Sequence, residues 1–324
     1  EVERGEVMKK TWYLIIGVVL LVIGCIAYGY HEHHKPKTAQ ELKTVRVAYL
    51  PITHALPVFA TKELETADGP VHVELVKYGS WPELMDALNT GKVDAASVLV
   101  ELGVKAREQG IDVRAAALGH TEGNIIIVNK DINSVQDLKG KSFAIPHKQS
   151  TQKILVDCML EEAGLSEKDV QIVEMSPPEM PSALSVGQIA GYSVAEPFGS
   201  LALEMGTGKV FEDPDHLWHD NICCALVFNG QFVDEHHDLA KAFTKAYLDA
   251  GTYLDEHPKA QEEISSKYMK FNDSVIERSL KVIGFKDLAL TEDRYNALVH
   301  HMTHIDLIKK VPSYSEFVDT SLLP

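Results

Sequence analysis

His147-Lys148-Gln149-Ser150-Thr151-Gln152 lies between a strand-like run at 141–146 and a helical run at 150–163. A β-to-α turn of this kind aims unpaired backbone N–H groups at whatever lies in front of it. Ser150 and Thr151 add hydroxyl donors and can cap the helix. The turn therefore suits a small polar or anionic ligand held without a catalytic group. A second turn of the same make-up, Pro51-Ile52-Thr53-His54, occurs nearly a hundred residues earlier. Two such turns on two α/β units imply a ligand clasped between two lobes.

Working outward, strand-like runs at 44–50, 71–78, 94–98, 113–118 and 124–129 alternate with helical runs at 54–64, 81–88 and 99–109. That alternation predicts a parallel, doubly wound sheet. The pattern restarts with a short helix at 134–138, strands at 141–146, 170–175 and 190–195, and helices at 150–163 and 180–185. Leu88 to Ala95 and Leu184 to Gly191 echo each other as helix, glycine stop and buried strand, which suggests two similar lobes. After a strand at 226–229 the periodicity is helical to the end, and these helices are expected to pack back on the first lobe. The chain would cross between lobes near 130–133 and near 221–227, making a hinge.

The chain has 324 residues, 45% hydrophobic and 24% charged, enough for two α/β domains. A net charge of −16 argues against nucleic acid and against a broad anionic membrane surface as partners. It leaves room for a small anion in a local nest of N–H groups. Residues 12–27 are uncharged and mostly apolar after Lys9 and Lys10, which suits the core of a secretory signal. Val22-Ile23-Gly24-Cys25 resembles a bacterial lipobox, so Cys25 is the expected lipidation site; an uncleaved anchor helix is the alternative. His31, His33 and His34 follow in a segment expected to be a solvated tether. Cys158, Cys223 and Cys224 do not make a disulfide framework. Cys223 and Cys224 are neighbours in a strand-like run, so their side chains are expected on opposite faces, as small buried residues. His300, His301 and His304 read as a solvated helix face, and no nucleotide loop or hydrolase elbow is present.

Several motifs in order resemble those of periplasmic-type solute-binding proteins of ABC importers, in the branch serving nitrate, sulfonates, taurine, bicarbonate and thiamin-pyrimidine precursors. They are 49–57, Leu88-x-x-Gly91-x-x-Asp94-Ala95, Ser134 to Lys141, Gln149-Ser150-Thr151 and Ala195-Glu196-Pro197-Phe198. The resemblance implies an α/β, two-lobed periplasmic-binding-protein-like fold of type II. It also implies a non-enzymatic monomer, without cofactor, that passes a small solute to a membrane permease and ATPase outside the cytoplasm. The expected segments are 1–25 signal, 26–43 tether, 44–131 first lobe, 132–222 second lobe, and 223–324 returning to the first.

Carried across residue by residue, the resemblance places Thr53, His54, Ser97, Val98, His120 and Thr121 of the first lobe in the cleft, with Gln149, Ser150, Thr151 and Glu196 of the second. All fall at strand carboxyl ends or helix starts, where open α/β sheets bind ligands. His54, His120 and His147 can donate to an anion, ligate a metal or simply pack. No metal site is assigned. No Arg falls within these turns, which weakens the case for a strongly held sulfonate or carboxylate. Two alternatives remain: an enzyme resembling fungal thiamin-pyrimidine synthases, faintly echoed by Cys223-Cys224 and the cleft histidines, and a lipid-anchored sensor.

Overall fold

In the computed structural model the described residues are 21 and 43–324. The expectations for the signal segment, Cys25 and His31, His33 and His34 lie outside them. Among the described residues no helix is long and apolar enough to cross a membrane.

The chain opens with β1 (Thr44–Tyr49), α1 (Leu56–Glu63), β2 (His72–Lys77), α2 (Trp81–Asn89), β3 (Ala95–Leu99), α3 (Val100–Glu108) and β4 (Val113–Leu118). β5 (Thr121–Glu122) and β6 (Asn124–Asn129) follow, then β7 (Ser142–Ile145), α4 (Thr151–Glu162), β8 (Gln171–Glu174) and α5 (Met180–Ser185). Next come β9 (Gly191–Ala195), α6 (Phe198–Glu204), β10 (Gly208–Val210), α7 (Pro214–Leu217) and β11 (Cys224–Asn229). The chain finishes with α8 (Gly230–Glu235), α9 (His237–Glu256), α10 (Pro258–Tyr268), α11 (Asp273–Leu280), β12 (Ile283–Gly284), α12 (Glu292–His304) and α13 (Tyr314–Phe317).

Two five-stranded sheets result, ordered β2-β1-β3-β11-β4 and β10-β6-β9-β7-β8. Each is mostly parallel. In each, the exception is the strand that arrives from the other lobe: β11 runs antiparallel between β3 and β4, and β6 antiparallel between β10 and β9. β3, β9 and β11 are buried along their whole length, as strands covered on both faces must be, and their sequences are correspondingly apolar.

β6 corrects one expectation. It was expected as a fifth strand of the first lobe, but it pairs with β9 and β10 in the second sheet. The first crossing therefore lies just before Asn124, not at 130–133. Its apolar composition fits a central strand of either sheet, so sequence pattern could not assign it. The C-terminal helices also differ from expectation, because they touch both lobes. α9 packs on α1, while α11 lies against α6 of the second lobe, with Phe271 edge-on to Phe198. Phe317 of α13 is fully buried against α3, where only the hydrogen of Gly103 leaves room: a Cβ there would sit 2.9 Å from the ring.

Candidate functional site

Because β11 is antiparallel, its first residues lie beside the carboxyl ends of its neighbours. Cys224 pairs with Leu99 at the end of β3, and Ala225 with Leu118 at the end of β4. His54 sits in the short 3-10 turn after β1, Glu101 in the first turn after β3, and His120 just past β4. Four loops of one sheet thus deliver two imidazoles, two thiols and a carboxyl to one place. All five residues are buried, none more than 1% exposed.

The ligating atoms of His54, His120, Cys223 and Cys224 lie within 4.8 Å of one another. The two sulfurs are 3.9 Å apart, and Cys224 Sγ is 3.6 Å from His54 Nδ1. The imidazole centroids are 3.6 Å apart. The remote nitrogen of each ring is held by a backbone carbonyl: His54 Nε2–H donates to Gly123 O at 2.9 Å, and His120 Nδ1–H to Glu122 O at 2.7 Å. The amide of Cys224 donates to His120 Nε2 at 3.3 Å. These contacts fix both tautomers, leaving His54 Nδ1 and His120 Nε2 unprotonated and facing the thiols. Gly123 has φ +83°, and a Cβ there would meet His54 Nε2 at 3.0 Å, so this close approach needs glycine.

The second lobe covers the cluster with α4. Gln152 Nε2 donates to Cys223 Sγ at 3.3 Å and to Asn124 Oδ1 at 2.6 Å. Thr151 Oγ1 lies 2.5 Å from Glu101 Oε1 and 2.6 Å from Ile222 O. One hydroxyl carries one proton, so both contacts are hydrogen bonds when Glu101 is protonated and donates to Thr151. Burial, reinforced by charge on Cys223, holds the Glu101 carboxyl well above the usual range, consistent with that state. On the other side, Thr53 N and Oγ1 donate to Glu196 O at 3.0 and 2.9 Å, closing the lobes directly.

Burial drives His120 down to about 4, so it is neutral at pH 7. Burial opposes ionisation of Cys223, but hydrogen bonding, led by that from Cys224, outweighs it and pulls its thiol well below the ordinary value. Cys224 moves the other way, through burial and the same hydrogen bond.

The expected cleft residues divide. Thr53, His54, His120 and Thr151 meet in or against this cluster. Ser97 is buried in β3 with its hydroxyl unpartnered, and Val98 lies in the core. Thr121 pairs with Gly284 through β5 and β12. Ser150 caps α4: its hydroxyl accepts from Lys153 N and donates to His147 O. Gln149 N donates to His147 Nδ1, and His147 faces a groove beside Trp81 and Glu174 instead of the cluster. The Glu196 carboxylate accepts from Ser200 N and Oγ of its own lobe, and its hydrogen bonds to the first lobe run through its main-chain carbonyl.

The opposite-face expectation for the two cysteines is overturned. Cys223 precedes β11 and belongs to the crossing segment, where strand alternation does not apply. Glu101, Asn124 and Gln152 carried no signal beyond lying next to strand ends and turns that were recognised.

A family model described as the NMT1-like family matches residues 38–268. The chain belongs to that family. The family member is 28% identical to a putative aliphatic sulfonates-binding protein of Bacillus subtilis, over 85% of this chain and 82% of the relative. It is 25% identical to the nitrate import ATP-binding protein NrtC of Synechocystis over 67% of its own length, but spans only 36% of that relative. Among solved structures, the ligand-binding component of an ABC-type import system from Staphylococcus aureus, with zinc bound, superposes with a TM-score of 0.82. The two are 35% identical, over 86% of this chain and 97% of that one. The fold is that of periplasmic binding proteins.

Proposed function

We propose that this NMT1-like protein is the extracytoplasmic solute-binding component of an ABC importer, anchored outside the membrane through Cys25 and docking on a permease–ATPase complex. The observation that carries the reading is the clasp. Polar groups from both lobes, Thr53 with the Glu196 carbonyl and Thr151 with Glu101, are buried against one another beside the His54, His120, Cys223 and Cys224 cluster. Such groups are solvated when the lobes part, so closure exchanges water for these contacts and for whatever the site holds. The sulfonate-binding relative and the zinc-bound import component support this assignment. Binding without catalysis fits a cluster whose titratable groups are all buried.

The test is reconstitution with its permease and ATPase partners. Cargo-loaded protein should stimulate ATP hydrolysis, and its scattering radius should shrink on loading. A loaded protein that neither contracts nor stimulates the transporter would overturn the import reading.

A further inference from the structure

We infer that His54, His120, Cys223 and Cys224 form a binding site for a zinc-class divalent ion, and that this ion is the cargo. The inference rests on the import reading above and names the solute that reading leaves open.

The first argument is polarity. His54 Nδ1 and His120 Nε2 are unprotonated, their other nitrogens being tied to Gly123 O and Glu122 O. Two sulfurs face them. Lone pairs thus converge on one point. An oxyanion there would meet acceptors; a cation would meet ligands. Two thiolates and a divalent ion sum to zero, which is the charge a buried site tolerates.

The second argument is metric. A tetrahedron with metal–sulfur bonds of about 2.3 Å and metal–nitrogen bonds of about 2.0–2.1 Å has edges of roughly 3.8 Å between sulfurs and roughly 3.6 Å from sulfur to nitrogen. The corresponding separations are 3.9 Å for Cys223 to Cys224 and 3.6 Å for Cys224 to His54. These two edges match a tetrahedron and all four atoms lie within 4.8 Å of one another; a set of two sulfurs and two nitrogens favours zinc over ions that prefer square-planar or all-oxygen surroundings. The third argument is support. Ligating imidazoles usually give their far N–H to a carbonyl or carboxylate, which fixes the ring and raises its basicity. Both rings here do so. Gln152 donates to Cys223 Sγ from the second lobe, stabilising thiolate charge only when the lobes are shut.

A catalytic cysteine–histidine pair is the competing chemistry. It needs a nucleophile facing open substrate space. Here the two thiols face each other and two imidazoles, under a cover formed by α4.

Cobalt(II) titration of the reduced full-length chain tests the proposal. Cobalt bound by thiolates gives a sulfur-to-metal charge-transfer band, which histidines alone, such as those at 31, 33 and 34, cannot produce. We expect one cobalt per chain with this band, displaced by zinc. Cys223→Ser and Cys224→Ser should each lower the band to about half, since one of two sulfurs is lost. The double variant should lose it and bind zinc at least about a hundredfold more weakly, more than the 10–100-fold typical of groups that merely support a ligand. Metal-free melting curves check that the variants fold; His120→Asn, which keeps both sulfurs, gives a second measure of zinc affinity. Absence of the band in folded, reduced wild-type protein, or its survival in the double variant, would overturn the site. A band without transporter stimulation by the zinc-loaded protein keeps the site and removes zinc as cargo. Stimulation by an oxyanion without any band keeps the import reading and removes the metal.

Discussion

Thr151→Val isolates the clasp from the site it covers. Valine nearly matches threonine in volume, so packing at the start of α4 is preserved, while the hydroxyl between Glu101 Oε1 and Ile222 O is lost. Both partners are buried, and a buried polar group deprived of its partner costs about 1–3 kcal/mol. In the closed state at least one stays unsatisfied; in the open state water reaches them. The penalty therefore falls on closure alone. At about 1.4 kcal/mol per decade, apparent affinity for cargo should fall by roughly 5- to 150-fold. The change should appear as faster release, because encounter with the open lobe does not involve Thr151. Release of zinc to an excess of chelator, followed by stopped flow, measures this directly. Thr151→Ser restores the hydroxyl and should recover most of the loss. A valine variant that releases at the wild-type rate would refute the argument that this hydroxyl holds the lobes shut.

Three further outcomes follow from particular contacts. Glu108 accepts from the amides of Lys309 and Lys310 and pairs with Lys105, which holds its carboxyl at about 2, below its ordinary value of 4.5. A depressed carboxyl stabilises above its unfolded value and loses that contribution as pH falls through 4.5 towards 2, so Glu108→Gln should flatten the fall in Tm between about pH 5 and about pH 3. Peroxide should join Cys223 and Cys224 as a disulfide, two thiols and one peroxide giving the disulfide and two waters. The sulfurs are 3.9 Å apart, so metal-free protein should lose zinc binding on oxidation and regain it with reductant, while zinc-loaded protein resists. Phe317→Ala should cost about 3–5 kcal/mol in urea unfolding, since the ring is fully buried against α3, and should leave cargo affinity unchanged.

The fold was legible because its determinants are local. Strand-length apolar runs closed by glycine, and turns carrying Thr53 and Ser150, are read from a few neighbouring residues. β6 was misassigned because an apolar run does not say which of two sheets it enters; that depends on β9 and β10, more than sixty residues later. The site was half legible. His54 and His120 follow strand ends and could be placed, but Cys223 and Cys224 could not. Their convergence depends on β11 returning antiparallel between β3 and β4, which brings its first residues to the same edge as the turns after β1 and β4. A period-two rule applied one residue too early then turned a pair of neighbours into opposites. The same distance in sequence hid Glu101 and Gln152, which matter only because α4 closes over the end of β3.

The placement of the donors also fixes an order of events. All four belong to the first sheet and its connections, so an open first lobe can take up an ion before the second lobe moves. What the second lobe adds is Gln152 to Cys223 Sγ, a bond to a charged acceptor whose strength depends on the thiolate being present. A ligand shifts a conformational equilibrium only through its difference in affinity for the two forms. Here that difference resides in the groups that arrive with α4, and ligation holds both sulfurs as thiolates. Loading should hold Cys223 as the thiolate to which Gln152 donates, and proton uptake by that sulfur should weaken the contact that closes the lobes. Gln152→Ala leaves every ligand in place. It should lower zinc affinity by about tenfold, in the range for groups that support a ligand, and should abolish most of the contraction seen on loading. Full contraction in that variant would place the driving force for closure in the ion itself.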